Sequence, residues 1–256
     1  MNVVVCVKQI PDPAVPGELN SNHTLKREGK LILDESDSYG VEMALQLVDK
    51  AGGGEVTLIS MAPNAEVSGL RTALAMGAAK AILVSDDALA GADALTTAKV
   101  LAKCVERAGG IDLVLTATES TDGYTGTIPA QIAELLGWPS LTFAKEVHLE
   151  GGTAKIQRQT EAGYDVVEAS LPAVVSVTAG VVEPRYPSFK GIMAAKSKPV
   201  DQVTAGDLGL SADAIAPNQT ITTVAAAPAR EAGEKIEDDG TAFEKVVEFL
   251  DGLKVI

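Results

Sequence analysis

From its first residues to Trp138 the chain alternates short β-branched runs with amphipathic helical stretches, and that rhythm leaves few architectures open. Val3 to Val7 is a continuous apolar run, the pattern of a strand buried on both faces. Tyr39 to Lys50 sets Tyr39, Met43 and Leu47 on one helical stripe, which Gly52-Gly53-Gly54 stops. Glu55 to Ser60 predicts the next strand, Glu66 to Met76 a helix with Gly77 as its C-cap, and Ala81 to Val84 a third strand. Ala92 to Arg107 predicts a long helix ended by Gly109-Gly110, and Ile111 to Thr116 a fourth strand. Thr127 to Leu136 predicts the following helix, with Ile128, Ile132, Leu135 and Leu136 facing inward. Alternation of this kind means an α/β fold: an open, mostly parallel sheet with right-handed crossovers and flanking helices.

From Pro139 the period changes. Leu141 to Leu149, Ala154 to Thr160 and Asp165 to Ala169 predict an antiparallel addition, joined by turns at Gly151-Gly152 and Ala162-Gly163. Pro172 to Thr178 predicts one more buried strand. Beyond Pro199 the pattern is irregular, Ala225 to Gly233 predicts an extended linker, and Thr241 to Leu253 predicts an amphipathic helix carrying Phe243, Val246, Val247 and Leu250. So long an arm exceeds ordinary loop lengths. It gains order either by wrapping a partner or by docking its helix back on its own domain.

At 256 residues the chain can bury a core without disulfide or metal staples. Its formal charge of −14 disfavours nucleic-acid binding, because a phosphate backbone needs a basic face. Cys6 and Cys104 lie in apolar stretches and cannot build a thiolate metal cluster, so no metal site is expected. The N-terminus has no signal-peptide pattern, and the apolar run Leu171 to Val182 falls short of the ~20 residues a bilayer span takes, so the expected compartment is the cytoplasm.

Open parallel sheets bind ligands beyond the carboxyl ends of their strands, where strand order reverses. The segment that follows the fourth strand is Ala117-Thr118-Glu119-Ser120-Thr121-Asp122-Gly123-Tyr124-Thr125-Gly126-Thr127, leading into a helix at Ile128. Four Thr, one Ser and two Gly in eleven residues make a cradle of hydroxyls and backbone N–H donors suited to a phosphate. The plainer alternative is an ordinary capped strand-to-helix loop. No G-x-G-x-x-G, P-loop or G-x-S-x-G pattern occurs, and His23 and His148 are isolated, so no catalytic residue is assigned.

A second constellation runs from Glu183 to Lys198. Arg185, Lys190, Lys196 and Lys198 against Glu183 make it +3 within an acidic chain, and it carries Tyr186, Phe189, Ile192 and Met193. Such a stretch suits a docking surface for an acidic partner, or else a rigid connector whose apolar residues join the core.

Several blocks resemble one family: Val5-Cys-Val-Lys-Gln-Ile-Pro-Asp12, Arg71-Thr-Ala-Leu-Ala-Met-Gly-Ala78, Asp112-Leu-Val-Leu115, Leu171-Pro-Ala-Val-Val175 and Glu183-Pro-Arg-Tyr186 with Ile192-Met193. In order and spacing they are similar to the electron transfer flavoprotein beta subunit. The resemblance implies an adenine-nucleotide-binding α/β domain over residues 1–198, including a recognition loop at 183–196. It also implies an arm and helix over 199–256 that pack on an alpha subunit.

The family is a heterodimeric electron carrier, not an enzyme with its own substrate. It holds FAD at the interface, mainly through alpha, and AMP in beta. It accepts electrons from acyl-CoA dehydrogenases of fatty acid oxidation and other flavin dehydrogenases, and passes them to a membrane quinone oxidoreductase. Bifurcating relatives place a second FAD where AMP otherwise sits.

Carried onto this chain, the AMP contacts implied are Cys6, the pre-helix loop Asp34-Glu35-Ser36-Asp37, Met61, and Ala117 to Ile128. Relatives often read Asn-Pro-aromatic-Asp at that pre-helix loop. The docking residues implied are Glu183, Pro184, Arg185, Tyr186, Phe189, Ile192 and Met193, with Phe189 standing where the family's usual anchor is a leucine. A stand-alone adenine-nucleotide enzyme is the rival from another class. It would need a phosphate-gripping glycine loop after the first strand, where Val7-Lys8-Gln9-Ile10-Pro11 stands.

Overall fold

The computed structural model describes residues 1–225, 227–229 and 232–256. Two compact units emerge, Met1–Thr222 and Thr223–Ile256. The elements of the first, in chain order, are β1 (Asn2–Cys6), β2 (Gln9–Ile10), β3 (Ile32–Leu33), α1 (Glu35–Lys50), β4 (Glu55–Met61), α2 (Ser68–Met76), β5 (Lys80–Val84), α3 (Ala94–Ala108) and β6 (Leu113–Ala117). They continue as α4 (Ile128–Leu136), β7 (Ser140–Glu150), β8 (Thr153–Thr160), β9 (Gly163–Ser170), β10 (Ala173–Val177), α5 (Phe189–Ala195), β11 (Val200–Val203) and α6 (Ala212–Ile215). The second unit carries α7 (Ala242–Gly252). The linker predicted over residues 225–233 lies partly outside the described residues.

Among the described residues, nine strands form one sheet in the order β11-β5-β4-β1-β6-β10-β7-β8-β9. Pairing is parallel from β11 to β7 and antiparallel from β7 to β9. The chain winds outward from β1 through β4 to β5, then crosses back to β6 on the other side of β1. The strand order therefore reverses between β1 and β6, and the crevice opens beyond Cys6 and Ala117.

The period-2 pattern of the central strands sorts side chains onto two faces. Val3, Val5, Leu58, Leu113 and Leu115 pack with Val41, Leu47, Leu70 and Leu74 of α1 and α2. Val4, Cys6, Ile59 and Val114 pack with Ala98, Leu101, Cys104 and Ile132 of α3 and α4. Each fully buried aliphatic side chain there is worth roughly 1.5–3 kcal/mol of transfer free energy. Gly54 is required where it stands: its φ is +127°, and a Cβ would sit 1.8 Å from the Met1 carbonyl oxygen.

Four sequence expectations are corrected. The first helix starts at Glu35, not Tyr39, because the Asp34 carboxylate caps it by accepting the Ser36 N–H at 3.1 Å. The segment between β1 and α1, to which the sequence pattern assigns no element, carries β2 and β3, which pair antiparallel. Beyond Pro199 the chain is not irregular: β11 joins the sheet beside β5, and α6 follows, so residues 199–222 belong to the first unit. Leu135 is exposed, and α4 buries Ala133 beside the expected Ile132.

Candidate functional site: the crevice between β1 and β6

The segment after β6 is held in shape by side chains from other parts of the chain. Asp34, fully buried, accepts the Thr121 N–H at 2.7 Å and the Thr121 hydroxyl at 3.0 Å while also capping α1. Lys8 donates from Nζ to Asp122 at 2.6 Å and to the Ser120 hydroxyl at 3.1 Å. Arg27 forms an ion pair with the other Asp122 oxygen and donates to the Gln9 carbonyl at 3.3 Å. Thr118 donates its hydroxyl to the Val177 carbonyl at the end of β10, at 3.1 Å.

Charge in this network is balanced locally. Burial pushes the Asp122 carboxyl up, but the cations of Lys8 and Arg27 more than offset it and hold it below the usual value. Asp37 sits in the first turn of α1, not in a loop, and accepts the Lys8 backbone N–H at 2.5 Å. Burial drives its carboxyl well above the ordinary range, which that single N–H only partly counters. Cys6 is buried at the end of β1, and desolvation raises its thiol well beyond the reactive range. Burial likewise pushes Cys104 up, to about 12, so neither is a ready nucleophile.

The rest of the cradle faces outward. Tyr124, Thr125 and Thr127 are exposed, and Tyr124 and Gly126 adopt φ of +50° and +64°. Thr127 is the N-cap position of α4, yet its hydroxyl makes no capping bond, and Pro129 lies in the first turn. That leaves the first N–H groups of α4 directed at the cradle. Glu35 is exposed, Ser36 bonds back to Asp34 at 2.6 Å, and Met61 ends β4 half-buried. The structure thus gathers Cys6, Asp34, Asp37 and residues 117–128 around the mouth of the crevice. Among the described residues no group of His, Cys, Asp and Glu could hold a metal ion.

The second constellation is a separate place in the fold. Its helix α5 sits on α2, where a Cβ on Gly191 would meet the Ala75 carbonyl oxygen at 2.5 Å. Arg71 of α2 donates to the carbonyls of Ala195 at 2.6 Å and Lys198 at 2.7 Å. Tyr186 and Phe189 are 94% and 81% exposed, and Ile192 and Met193 stand beside them half out in solvent. These apolar residues do not join the core, so the connector alternative is overturned for them.

The basic face expected from the sequence is smaller than its composition. Arg185 grips the buried Glu42 of α1 through Nε at 2.6 Å and its second guanidinium nitrogen at 3.0 Å. Lys198 turns inward onto the carbonyls of Leu74 and Ala78, and burial lowers its ammonium below the usual value.

A family model described as "Electron transfer flavoprotein domain" matches residues 23–208. An "Electron transfer flavoprotein subunit beta" of Mycobacterium tuberculosis (strain ATCC 25618 / H37Rv) is 40% identical over 264 residues, covering 100% of this chain and 99% of the relative. This chain belongs to the electron transfer flavoprotein beta-subunit family. A beta subunit of Megasphaera elsdenii is 33% identical over the whole of both chains. A "Caffeyl-CoA reductase-Etf complex subunit CarD" of Acetobacterium woodii is 36% identical over 96% of this chain and 95% of its own.

Within this beta subunit, sequence reasoning missed Lys8, Arg27 and Glu42 as parts of the two constellations. Lys8 stood inside the Val5–Asp12 block, and the only signal available was a cation beside the end of a buried strand. Arg27 and Glu42 gave none, because their partners lie 95 and 143 positions further along the chain.

Proposed function

We propose that this chain is the beta half of a heterodimeric electron transfer flavoprotein. It takes electrons from acyl-CoA and related flavin dehydrogenases through an interface FAD and delivers them to a membrane quinone oxidoreductase. It holds AMP as a structural nucleotide and performs no substrate turnover of its own. The cytoplasm is the compartment that fits two free, buried cysteines. Among the described residues no helix is long and apolar enough to cross a membrane.

The observation that carries the nucleotide reading is the cradle itself, a hydroxyl-rich loop pinned from three sides at the reversal of strand order. Buried polar atoms fit the same reading: among the described residues Ser60 Oγ, one residue before Met61, and Gln131 Oε1, in the first turn of α4, have no hydrogen-bond partner, as is also true of Thr96 Oγ1 in α3 and Ser140 Oγ in β7. Buried polar atoms of that kind call for a polar guest. Thr125, Thr127 and the free N–H groups of α4 would take the phosphate, while Asp122, already engaged by Lys8 and Arg27, keeps the loop in shape. When bound, the flavin supplies the redox chemistry. This chain's residues set its surroundings, and the exposed Tyr186, Phe189, Ile192 and Met193 dock the dehydrogenase.

The alpha partner is supported by α7, an amphipathic helix whose Phe243, Val246, Val247 and Phe249 are exposed. A second reading, a bifurcating carrier with FAD in place of AMP, is supported by similarity to a subunit of a caffeyl-CoA reductase–Etf complex.

The test is a nucleotide count on the complex purified with its co-expressed alpha subunit, denatured and separated. One FAD and one AMP per heterodimer is the expected result. Two FAD and no AMP selects the second reading. No nucleotide and no stable alpha partner overturns both and leaves the stand-alone enzyme to be tested.

A further inference from the structure

The segment between β2 and β3 does more than connect them. It leaves the sheet at the carboxyl end of β1 and returns at the start of α1, so it runs at the edge where the crevice opens. It has internal order: Leu19 pairs with Leu25 as an antiparallel bridge, and Lys26 donates its N–H to the Glu18 carbonyl at 2.8 Å. Residues 12–22 and 28–30 are exposed, whereas 23–27 are half-buried, so this segment has an underside.

That underside reaches loops from strands on both flanks of β1. Thr24 lies against Gly91 in the loop after β5, where an added Cβ would stand 3.3 Å from the Thr24 methyl. Arg27 pairs with Asp122 in the cradle after β6. The base is fixed to the segment after β4: buried Gln9 donates to the Glu66 carbonyl at 2.7 Å and accepts the Leu70 N–H at 3.1 Å, and the Ser68 hydroxyl donates to the Leu31 carbonyl.

We infer that residues 11–31 form a strap across the mouth of the nucleotide crevice, latched by the Arg27–Asp122 pair, and that opening this latch controls nucleotide exchange. The inference rests on the nucleotide reading above and adds a positioning residue to it. Arg27 meets the expected nucleotide-binding segment only at Asp122, whose role is to hold the loop in shape, and it also donates to the Gln9 carbonyl, so it acts by positioning. The base is held by buried bonds that do not involve Arg27. Two ion pairs form from residues 23–27: Lys26 with Glu18 at 2.9 Å stays inside the segment, whereas Arg27 with Asp122 reaches the cradle, with side chains 29% and 10% exposed. A partly buried, charge-assisted pair of this kind is the strongest polar tie available to hold a strap closed.

The experiment uses the heterodimer co-purified with its alpha subunit, as wild type, Arg27→Gln and Arg27→Lys. After the nucleotide count, bound nucleotide is chased with excess N-methylanthraniloyl-AMP, or with FAD if the count finds a second flavin. Release is followed in time, and amide exchange over residues 20–31 is measured on the same samples. Arg27→Gln is expected to release nucleotide about tenfold faster or more, the loss of one charged hydrogen-bonded contact. Arg27→Lys, which keeps the charge without the fork, should fall between.

Amide exchange over 20–31 should rise in Arg27→Gln while the final nucleotide content at saturation stays equal. A loaded wild type with unchanged release in Arg27→Gln overturns the latch and leaves the nucleotide reading standing. Faster strap exchange with unchanged release overturns the gating role. A wild-type complex that carries no nucleotide overturns the reading beneath it, and the gate falls with it.

Discussion

Replacing Arg185 separates two roles that its sequence context offers, a steering charge for an acidic partner and an internal brace. Its side chain is 42% exposed, but the Glu42 side chain it grips is only 5% exposed and accepts from Nε at 2.6 Å, the second guanidinium nitrogen at 3.0 Å and the Arg185 N–H at 3.3 Å. Breaking a fully buried ion pair costs about 3–5 kcal/mol. An exposed pair is worth about 0–1 kcal/mol. With one partner buried and the other half in water, Arg185→Ala should cost about 1.5–3 kcal/mol, the range of hydrogen bonds to charged groups. Most of that is the Glu42 carboxylate losing its cation and keeping the neutral Gln46 amide at 2.9 Å and the backbone N–H of residue 185 at 3.3 Å.

Arg185→Lys is the discriminating variant. It retains the charge and loses the two-pronged grip, so a brace predicts a loss close to that of alanine, and a steering charge predicts almost none. The assay is urea unfolding of the co-purified heterodimer at fixed concentration, with dehydrogenase-to-flavin electron transfer measured alongside. Burial pushes the Glu42 carboxyl up, and Arg185 and Gln46 pull it to a net value below the ordinary 4.5. A depressed folded-state pKa contributes stability above the unfolded value and loses it as pH falls through the folded one. The gap between variant and wild type should therefore be full near neutral pH and close in acid below the ordinary carboxyl range. Arg185→Lys with wild-type stability and Arg185→Ala with slowed electron transfer alone would refute the brace.

Gly191→Ala should push α5 away from α2, because its new Cβ meets the Ala75 carbonyl at 2.5 Å and backbone cannot yield cheaply. The expected loss is about 1–3 kcal/mol in urea unfolding, with slower dehydrogenase docking. Phe189→Ala should slow electron acceptance from the cognate dehydrogenase tenfold or more while bound flavin and stability stay unchanged, since the ring is 81% exposed. Lost flavin with normal docking would sink that assignment. Replacing Thr125 and Thr127 by Leu should expel the nucleotide and lower the melting temperature of the complex. Unchanged content and melting would return the segment to an ordinary helix-capping loop.

The fold was legible wherever side-chain period carried the information. The β1 run Asn2–Cys6 and the β6 run Leu113–Ala117 are buried on both faces, and only a two-sided sheet asks for such continuous apolar strands. The start of α1 was misplaced because the capping signal, Asp34, precedes four polar residues, Glu35 to Ser38, without apolar period. The strand β11 was missed for a different reason. Val200-Asp201-Gln202-Val203 buries only its last side chain, and its place at the sheet edge comes from backbone pairing with β5, which leaves no mark in the side-chain pattern.

The crevice shows the same division between what is local and what is assembled. Hydroxyl and glycine density marks residues 117–128 as a cradle because a helix N-terminus and small side chains are needed within one short segment. What holds that cradle is spread over the chain: Lys8 from the end of β1, Arg27 from the strap, Asp34 from the cap of α1. Each is an unremarkable polar residue in its own neighbourhood, and its role exists only once the strands are in register. Asp122 illustrates the consequence. Beside an expected phosphate an acidic residue is a repulsion, and the chain alone cannot say whether it is tolerated or neutralised. In the fold two cations reach it from different segments, so a phosphate bound as proposed would meet a neutralised carboxylate and directed N–H groups. Asp34 spends its carboxylate on Ser36 and Thr121, and so ties the cap of α1 to the cradle in a way that neither segment alone reveals.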